Sequence, residues 1–430
     1  MSRSPVRLDR WRITYGVHVG RGGGRSGLAP YAVVAVLSRG AGAGLPSAVI
    51  LGVLAAGGSV SDGSLLIAAF TAMSGLCGPF VGAAVDRLEH PRRGYLVAAA
   101  ILAIYAGILA LALNDIPGGL LIVVAGIAGM AHPLFFGAWS AQLPRIAPGV
   151  PPTRAYSVDV STYNVAAIAG PAIVGLAYIA DSRTPGAASL EVVCLLYIAA
   201  FVALLLVRVP RRSETHDQPP APFATTLRYA AVLWKSVSLR RSTTVSTLAY
   251  IGIAGLVVSA PLLGADLAGD SGTGALLLAV VAVGALMGSI AMIHRPPRVG
   301  PGTLVVISTL ALAVALTLLA VSPSMWWAIP VAVVVGFTQA PQLSAVMQVR
   351  DREAPKHARA LVFSAAASLK TSAFAVGSLI AAVLVPLGWR VLLGGSAVIE
   401  IIAVVVGLLV AGRRVRPPRG TPIVGGNTTD

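Results

Sequence analysis

The sequence predicts an all-α membrane protein of twelve transmembrane helices arranged as two pseudo-symmetric six-helix bundles. Three observations carry that expectation. Of 430 residues, 56% are hydrophobic and 11% charged, so the chain lacks the polar surface that a water-soluble domain of this size requires. Its apolar residues fall into windows long enough to cross a hydrocarbon core of about 30 Å, which takes about 20 helical residues. The windows form two sets of six on either side of one polar segment.

Taken in order, residues 1–28 form a basic tail whose run Gly22-Gly23-Gly24-Arg25-Ser26-Gly27 fits G-x-G-x-x-G only by being glycine-rich. It follows no strand, so it carries no dinucleotide site. The first window, 29–56, is too long for a signal peptide and is followed by many like it, which makes it an uncleaved span. Windows at 64–85, 94–114, 117–140, 156–180 and 188–207 complete an N-terminal bundle over 29–207. Residues 208–242 then contain Arg211, Arg212, Glu214, His216, Asp217 and Pro219-Pro220-Ala221-Pro222, the composition of a solvated linker. Windows at 243–265, 273–293, 302–321, 325–349, 360–387 and 390–411 make a C-terminal bundle over 243–411, and 412–430 is a second basic tail.

Charge placement orients the chain. Of 32 Lys and Arg residues, 28 fall in the tails and the even-numbered loops, against Arg183 and Arg390 on the opposite side. An excess of Lys and Arg marks cytoplasmic loops, so both termini are expected in the cytoplasm. Trp139, Trp326, Trp327 and Trp389 lie at window ends, where amphipathic rings favour the membrane interface. The net charge of +16 does not indicate nucleic acid, because the basic residues are scattered between apolar runs rather than gathered on one element. Cys77 and Cys194 both lie inside apolar runs, which offers neither a disulfide framework nor a metal cluster.

The second window runs abruptly into a charged loop, Gly78-Pro79-Phe80-Val81-Gly82-Ala83-Ala84-Val85-Asp86-Arg87, closed by Pro91-Arg92-Arg93-Gly94. Gly78, Gly82 and Asp86 are four apart, so one helix face carries two small residues suited to close packing and ends in a carboxylate. The stretch recurs. At an offset of 206, Gly78, Gly82, Pro91, Arg92 and Gly94 meet Gly284, Gly288, Pro297, Arg298 and Gly300; at 205, Arg154-Ala155 meets Arg359-Ala360. Met292 stands where Asp86 would in the second copy.

Two six-helix repeats with both tails inside, joined to this loop, resemble the major facilitator superfamily. The family's loop signature between helices two and three is matched by Gly82, Asp86, Arg87, Arg92 and Arg93, with Glu89-His90-Pro91 in place of its inner glycine. In helix five, Gly170-Pro171-Ala172-Ile173-Val174-Gly175 resembles the Gly-Pro motif of that superfamily's antiporters through Gly170, Pro171 and Gly175. Val174 and Ala166 depart from it, and helix four lacks the intramembrane Arg of many proton-coupled drug antiporters. Other segments, such as Ser38-Arg39-Gly40, resemble bacterial facilitators. The resemblance implies alternating access in a bacterial inner membrane, the loop acting as a gate that latches the halves when the protein faces outward.

Ionisable residues inside spans are the candidates for chemistry, since a centred charge costs at least about 2.5–3.5 kcal/mol and therefore faces a cavity or a partner. Arg39 in span one and Lys370 in span eleven are read either as substrate or coupling groups or as paired structural charges. Asp159 in span five is the coupling carboxylate of choice, because carboxylates withdrawn from water can exchange protons near neutral pH. Glu400 in span twelve is expected to pair with a neighbouring helix, through Lys370. His132, before Pro133 in span four, is either a proton-exchanging group or a histidine hydrogen-bonded between helices; the proline removes a backbone N–H and opens the helix there. Phe135, Phe136, Gln142, Asn164, Gln339 and Gln342 add aromatic and amide groups to helices that could line a cavity.

No G-x-x-x-x-G-K-[ST] occurs, so the work must come from an ion or substrate gradient rather than ATP. No H-E-x-x-H or nucleophile–base constellation points to an enzyme, and no cofactor or metal is expected. The expectation is proton-coupled efflux of a small or amphipathic molecule by a monomer in the lipid bilayer. Gradient-driven uptake of a nutrient is the alternative, and a non-transporting membrane scaffold or sensor the reading from another class.

Overall fold

The computed structural model describes residues 27–86, 88–150, 152–181, 183–210, 231–295, 297–353 and 359–412. Among them no strand occurs, and twelve helices are long and apolar enough to cross a membrane. They are α1 (Leu28–Ala55), α2 (Val60–Asp86), α3 (Pro91–Ala112), α4 (Gly118–Ile146), α5 (Pro152–Ala180) and α6 (Pro185–Leu206). The second six are α7 (Val237–Ala268), α8 (Gly272–His294), α9 (Pro301–Ala320), α10 (Met325–Glu353), α11 (Arg359–Leu384) and α12 (Trp389–Gly412). Because twelve spans alternate in direction, α1 starts and α12 ends on one side of the bundle, called here the tail face.

Several helices run past their apolar windows at the tail face, α4, α7 and α10 among them. α7 begins at Val237, inside the stretch expected to be linker, where the Leu239 N–H donates to the Ser236 hydroxyl at 3.0 Å and caps the helix. α10 continues to Glu353. α4 continues to Ile146, through the amphipathic turns Trp139–Ile146. Each extension carries arginines, which a hydropathy window excludes although helical hydrogen bonding tolerates them.

Packing repeats between the halves. In the first, α1 packs on α5 and α6, α3 on α6, and α2 on α4; in the second, α7 packs on α11 and α12, α9 on α12, and α8 on α10. The same contacts thus recur six helices later. Glycines set the closest crossings. A Cβ on Gly170 of α5 would overlap the Gly40 carbonyl of α1, and one on Gly377 of α11 would overlap the Ile251 carbonyl of α7. These two glycines stand 207 residues apart. Small residues allow helices to approach where lipid supplies no hydrophobic drive for association.

Between the halves, contact runs chiefly along α2 with α11 and α5 with α8. On the side opposite the tail face, Ser61 donates to the Ala382 carbonyl at 2.6 Å, and Val258, Ala275, Ala381 and Leu392 join the apolar core of the first half. Trp326 is 87% exposed at the start of α10, as an interfacial ring would be. Trp139 is not at a span end: α4 extends beyond it and the ring is buried, 5.4 Å from the Tyr31 ring and parallel to it. Trp389 is buried too, its indole N–H donating to Asp266 at 2.9 Å.

Candidate functional site

α4 is interrupted where the sequence predicts it. After His132-Pro133 the chain makes a π turn, Leu134–Ala138, before resuming as α-helix. A missing N–H at Pro133 removes one rung of the ladder, and the widened turn leaves carbonyls available to other donors. Arg39 of α1 uses them. Its Nε donates to the Phe135 carbonyl at 3.0 Å and its Nη2 to the Phe136 carbonyl at 3.3 Å.

The remaining donors of Arg39 meet α4 and α5. Nη2 donates to the Ser140 hydroxyl at 2.9 Å; Nη1 reaches Asp159 Oδ1 at 2.7 Å, the Asp159 carbonyl at 3.3 Å and the Thr162 hydroxyl. Tyr163 covers the guanidinium, its ring centroid 3.7 Å from Cζ. Asp159 is also satisfied on both oxygens, Oδ1 by the Tyr31 hydroxyl at 2.5 Å and Oδ2 by the Ser140 hydroxyl at 2.8 Å. Two sequence candidates therefore form one buried, fully hydrogen-bonded pair joining α1, α4 and α5. Asp159, Thr162 and Tyr163 at i, i+3 and i+4 share a helix face, a spacing that could have revealed them.

The second half is arranged otherwise. Lys370 of α11 is 7% exposed, and its Nζ lies 4.6 Å over the Tyr250 ring of α7. Arg350, in the last turn of α10, is 1% exposed and donates to the Ser246 hydroxyl at 3.4 Å, while its Nε has no acceptor. Ser246 and Tyr250, which these two cations reach, stand one turn apart on α7. Arg350 fell outside the sequence reading because its window stopped at 349. The offset of 205, which carries Arg145 onto Arg350, was the available signal.

Glu400 does not pair with Lys370. It lies against Gly252 of α7, fully buried, with neither carboxylate oxygen accepting a hydrogen bond. The helix α12 places it on the far flank of α7 from Tyr250, since positions 250 and 252 point about 200° apart on a helix of 3.6 residues per turn. His132 sits between aromatic rings, 5.1 Å from Phe70 and 4.5 Å from Phe136 by centroid. Its Nδ1 is 3.2 Å from the Ser74 hydroxyl of α2, and its buried Nε2 has no partner. Gln342 donates to the Thr309 hydroxyl at 2.6 Å, tying α10 to α9.

The sequence pattern of the Major Facilitator Superfamily matches residues 31–374 and 297–428. The chain belongs to that superfamily. Comparison with curated proteins found no match. The fold is similar to that of the nucleoside transporter NupG, with a TM-score of 0.71 at 11% identity over 90% of this chain and 100% of that one. It is similar also to a POT family transporter in complex with 5-aminolevulinic acid, with a TM-score of 0.69 at 14% identity over 90% and 96%. A bacterial homolog of the human lysosomal transporter Spinster, in an inward-facing and unoccupied conformation, gives 0.68 at 14% over 90% and 96%. Membership of the superfamily points to transport rather than catalysis.

The superfamily's loop motif is only partly within the described residues. Asp86 closes α2, but its side chain, the surroundings of Gly82 and the whole of Arg87 lie outside them. Arg92 is turned to its own half: Nε donates to the Leu204 carbonyl at 3.0 Å and Nη2 to the Leu205 carbonyl, which caps the C-terminus of α6. Arg93 is exposed. In the second copy Met292 packs against an apolar cluster that includes Val245, Leu304 and Val346. The Gly-Pro motif sits at two crossings: Gly170 against Gly40 and Gly44 of α1, and Gly175 against Gly272 and Ala275 of α8 in the other half. Pro171 is buried inside α5.

Proposed function

We propose that the protein is a secondary active transporter that exports a small or amphipathic molecule in exchange for protons across a bacterial inner membrane, with both tails in the cytoplasm. The observation that carries this reading is the seam between the halves. It is built from small residues: a Cβ on Gly75 would overlap Ser372, one on Gly78 would sit 3.3 Å from the Ser368 hydroxyl, and Gly175 faces Gly272 and Ala275. Such faces can tilt on one another without unlocking interdigitated side chains, as rocking of two repeats about a central site requires. Within the first half, the Arg39–Asp159 network ties three helices into one body that can move as a unit.

Exchange for protons is supported by the Gly-Pro motif, whose Gly170 and Gly175 stand at an intra-half and an inter-half crossing. Energy comes from the gradient. No ATP site, cofactor or metal enters the cycle, and the chain works as a monomer.

The test is transport in inverted membrane vesicles under an imposed pH gradient, with a broad compound panel. Export predicts accumulation inside the vesicles that requires an acidic lumen. Accumulation in right-side-out vesicles driven by an inward gradient would establish uptake instead. If no compound moves and none dissipates the gradient, the scaffold or sensor reading replaces both.

A further inference from the structure

The two halves treat their buried cations differently, and the difference indicates what is carried. Arg39 has an acceptor for each of its nitrogens, including a carboxylate. Lys370 has an aromatic ring but no acceptor, and Arg350 has one hydroxyl at 3.4 Å and an Nε with nothing. Among the described residues no carboxylate lies within ion-pair distance of either. Glu353 at the end of α10 is exposed, and Glu400 faces Gly252 from α12.

Lys370, Arg350 and Tyr250 come from three helices, and packing brings them together. Val349, beside Arg350, packs with Val362, Ala365 and Ala366 of α11. On α7, Thr243, Ser246, Thr247 and Tyr250 recur at helical spacing on one stripe, and the Thr243 and Thr247 hydroxyls are buried without partners. The cluster therefore offers an ammonium, a guanidinium and hydroxyls, with no carboxylate among the described residues to receive them. Buried cations are otherwise found paired or bound to ligand, because removing them from water is costly.

We propose that Arg350 and Lys370 form the binding site for the anionic group of the transported substrate, a small organic molecule carrying a carboxylate or phosphate, with Tyr250 as an apolar wall. The guanidinium suits a planar or tetrahedral oxyanion through paired N–H donors, and the ammonium adds a point charge from the facing helix. The bound anion separates two cations that otherwise repel. Arg39, already neutralised, contributes position rather than charge. The assignment to a transported substrate rests on the transporter reading above; anion binding itself does not.

An anionic lipid headgroup shares this chemistry, so the experiment separates the two sources. The purified full chain in nanodiscs of zwitterionic phospholipid is titrated with mono- and dicarboxylates, small organic phosphates and their neutral esters or amides, with thermal melting and calorimetry as readouts. A matching preparation contains anionic phospholipid and no added solute.

The expected result is that one class of soluble anion raises the melting temperature in a saturable way, its neutral ester does not, and Lys370→Gln and Arg350→Gln each weaken binding by about tenfold or more. Lys370→Arg, which keeps the charge, retains part of the affinity; it also serves if Arg350→Gln fails to fold. The proposal is overturned if no anion in the panel stabilises the protein, if Lys370→Gln and Arg350→Gln bind as the unsubstituted chain does, or if anionic phospholipid alone produces the shift and soluble anions add nothing. Counterflow in proteoliposomes distinguishes the two levels: binding without exchange defeats the transporter reading and leaves the anion site standing, whereas exchange of uncharged compounds indifferent to Lys370→Gln does the reverse.

Discussion

Asp159 Oδ1 stands 2.7 Å from Arg39 Nη1, and around that ion pair α1, α4 and α5 converge on a single hydrogen-bonded centre. Of the two roles open to Arg39, substrate group or paired charge, the geometry favours the second. Breaking one partner of a buried pair typically costs about 3–5 kcal/mol, because the other charge is left uncompensated. Asp159→Ala is therefore expected to lower the melting temperature sharply in detergent. The double variant Arg39→Met with Asp159→Leu should recover part of the loss, but not all, since the Phe135 and Phe136 carbonyls then lose their donor. A single variant melting like the unsubstituted protein would exclude this account.

Gly170 and Gly137 make a matched pair for testing the Gly-Pro crossing. A Cβ at Gly170 would overlap the Gly40 carbonyl, whereas one at Gly137 meets nothing within 4 Å. Gly170→Ala should destabilise by about 1–3 kcal/mol, as overpacking does. Gly137→Ala should be near neutral. Thermal melting of both reads the difference directly.

Arg92 and Asp86 should separate by phenotype. A cation near a helix C-terminus contributes about 0.3–1 kcal/mol, so Arg92→Gln is expected to speed hydrogen exchange at the end of α6 while affecting stability little. Asp86→Asn is expected to slow transport and leave expression intact, as a gate residue would. Full transport rates in Asp86→Asn would exclude a gating role for Asp86.

Glu400 is buried with two unpartnered oxygens against Gly252. An unsatisfied buried polar group costs about 1–3 kcal/mol, so Glu400→Met, similar in size and apolar, should raise the melting temperature. Transport is expected to persist. A variant with lower stability would show that the carboxylate has a partner in the folded protein.

The helices and their number were legible because span length and apolarity depend on consecutive residues alone. The opening of α4 was also local, following from one missing N–H at Pro133. Span ends were harder to read: α7 starts at Val237 and α10 runs to Glu353 through polar turns whose helicity comes from capping and packing. Trp139 shows the same limit, since an aromatic ring near a window end can anchor at an interface or fill a core, and the stacked Tyr31 is 108 residues away.

The sequence by itself determined a twelve-helix, duplicated membrane protein and named Arg39, Asp159, His132 and Lys370 as its costly residues, because a charge in an apolar run is expensive wherever it points. Only tertiary structure decided which of them are spent on the fold. Arg39 and Asp159 meet because α1 and α5 cross at glycines, while Lys370 meets the Tyr250 ring and, among the described residues, no carboxylate. Pairing depends on helix phase and crossing angle, which no stretch of one helix encodes alone.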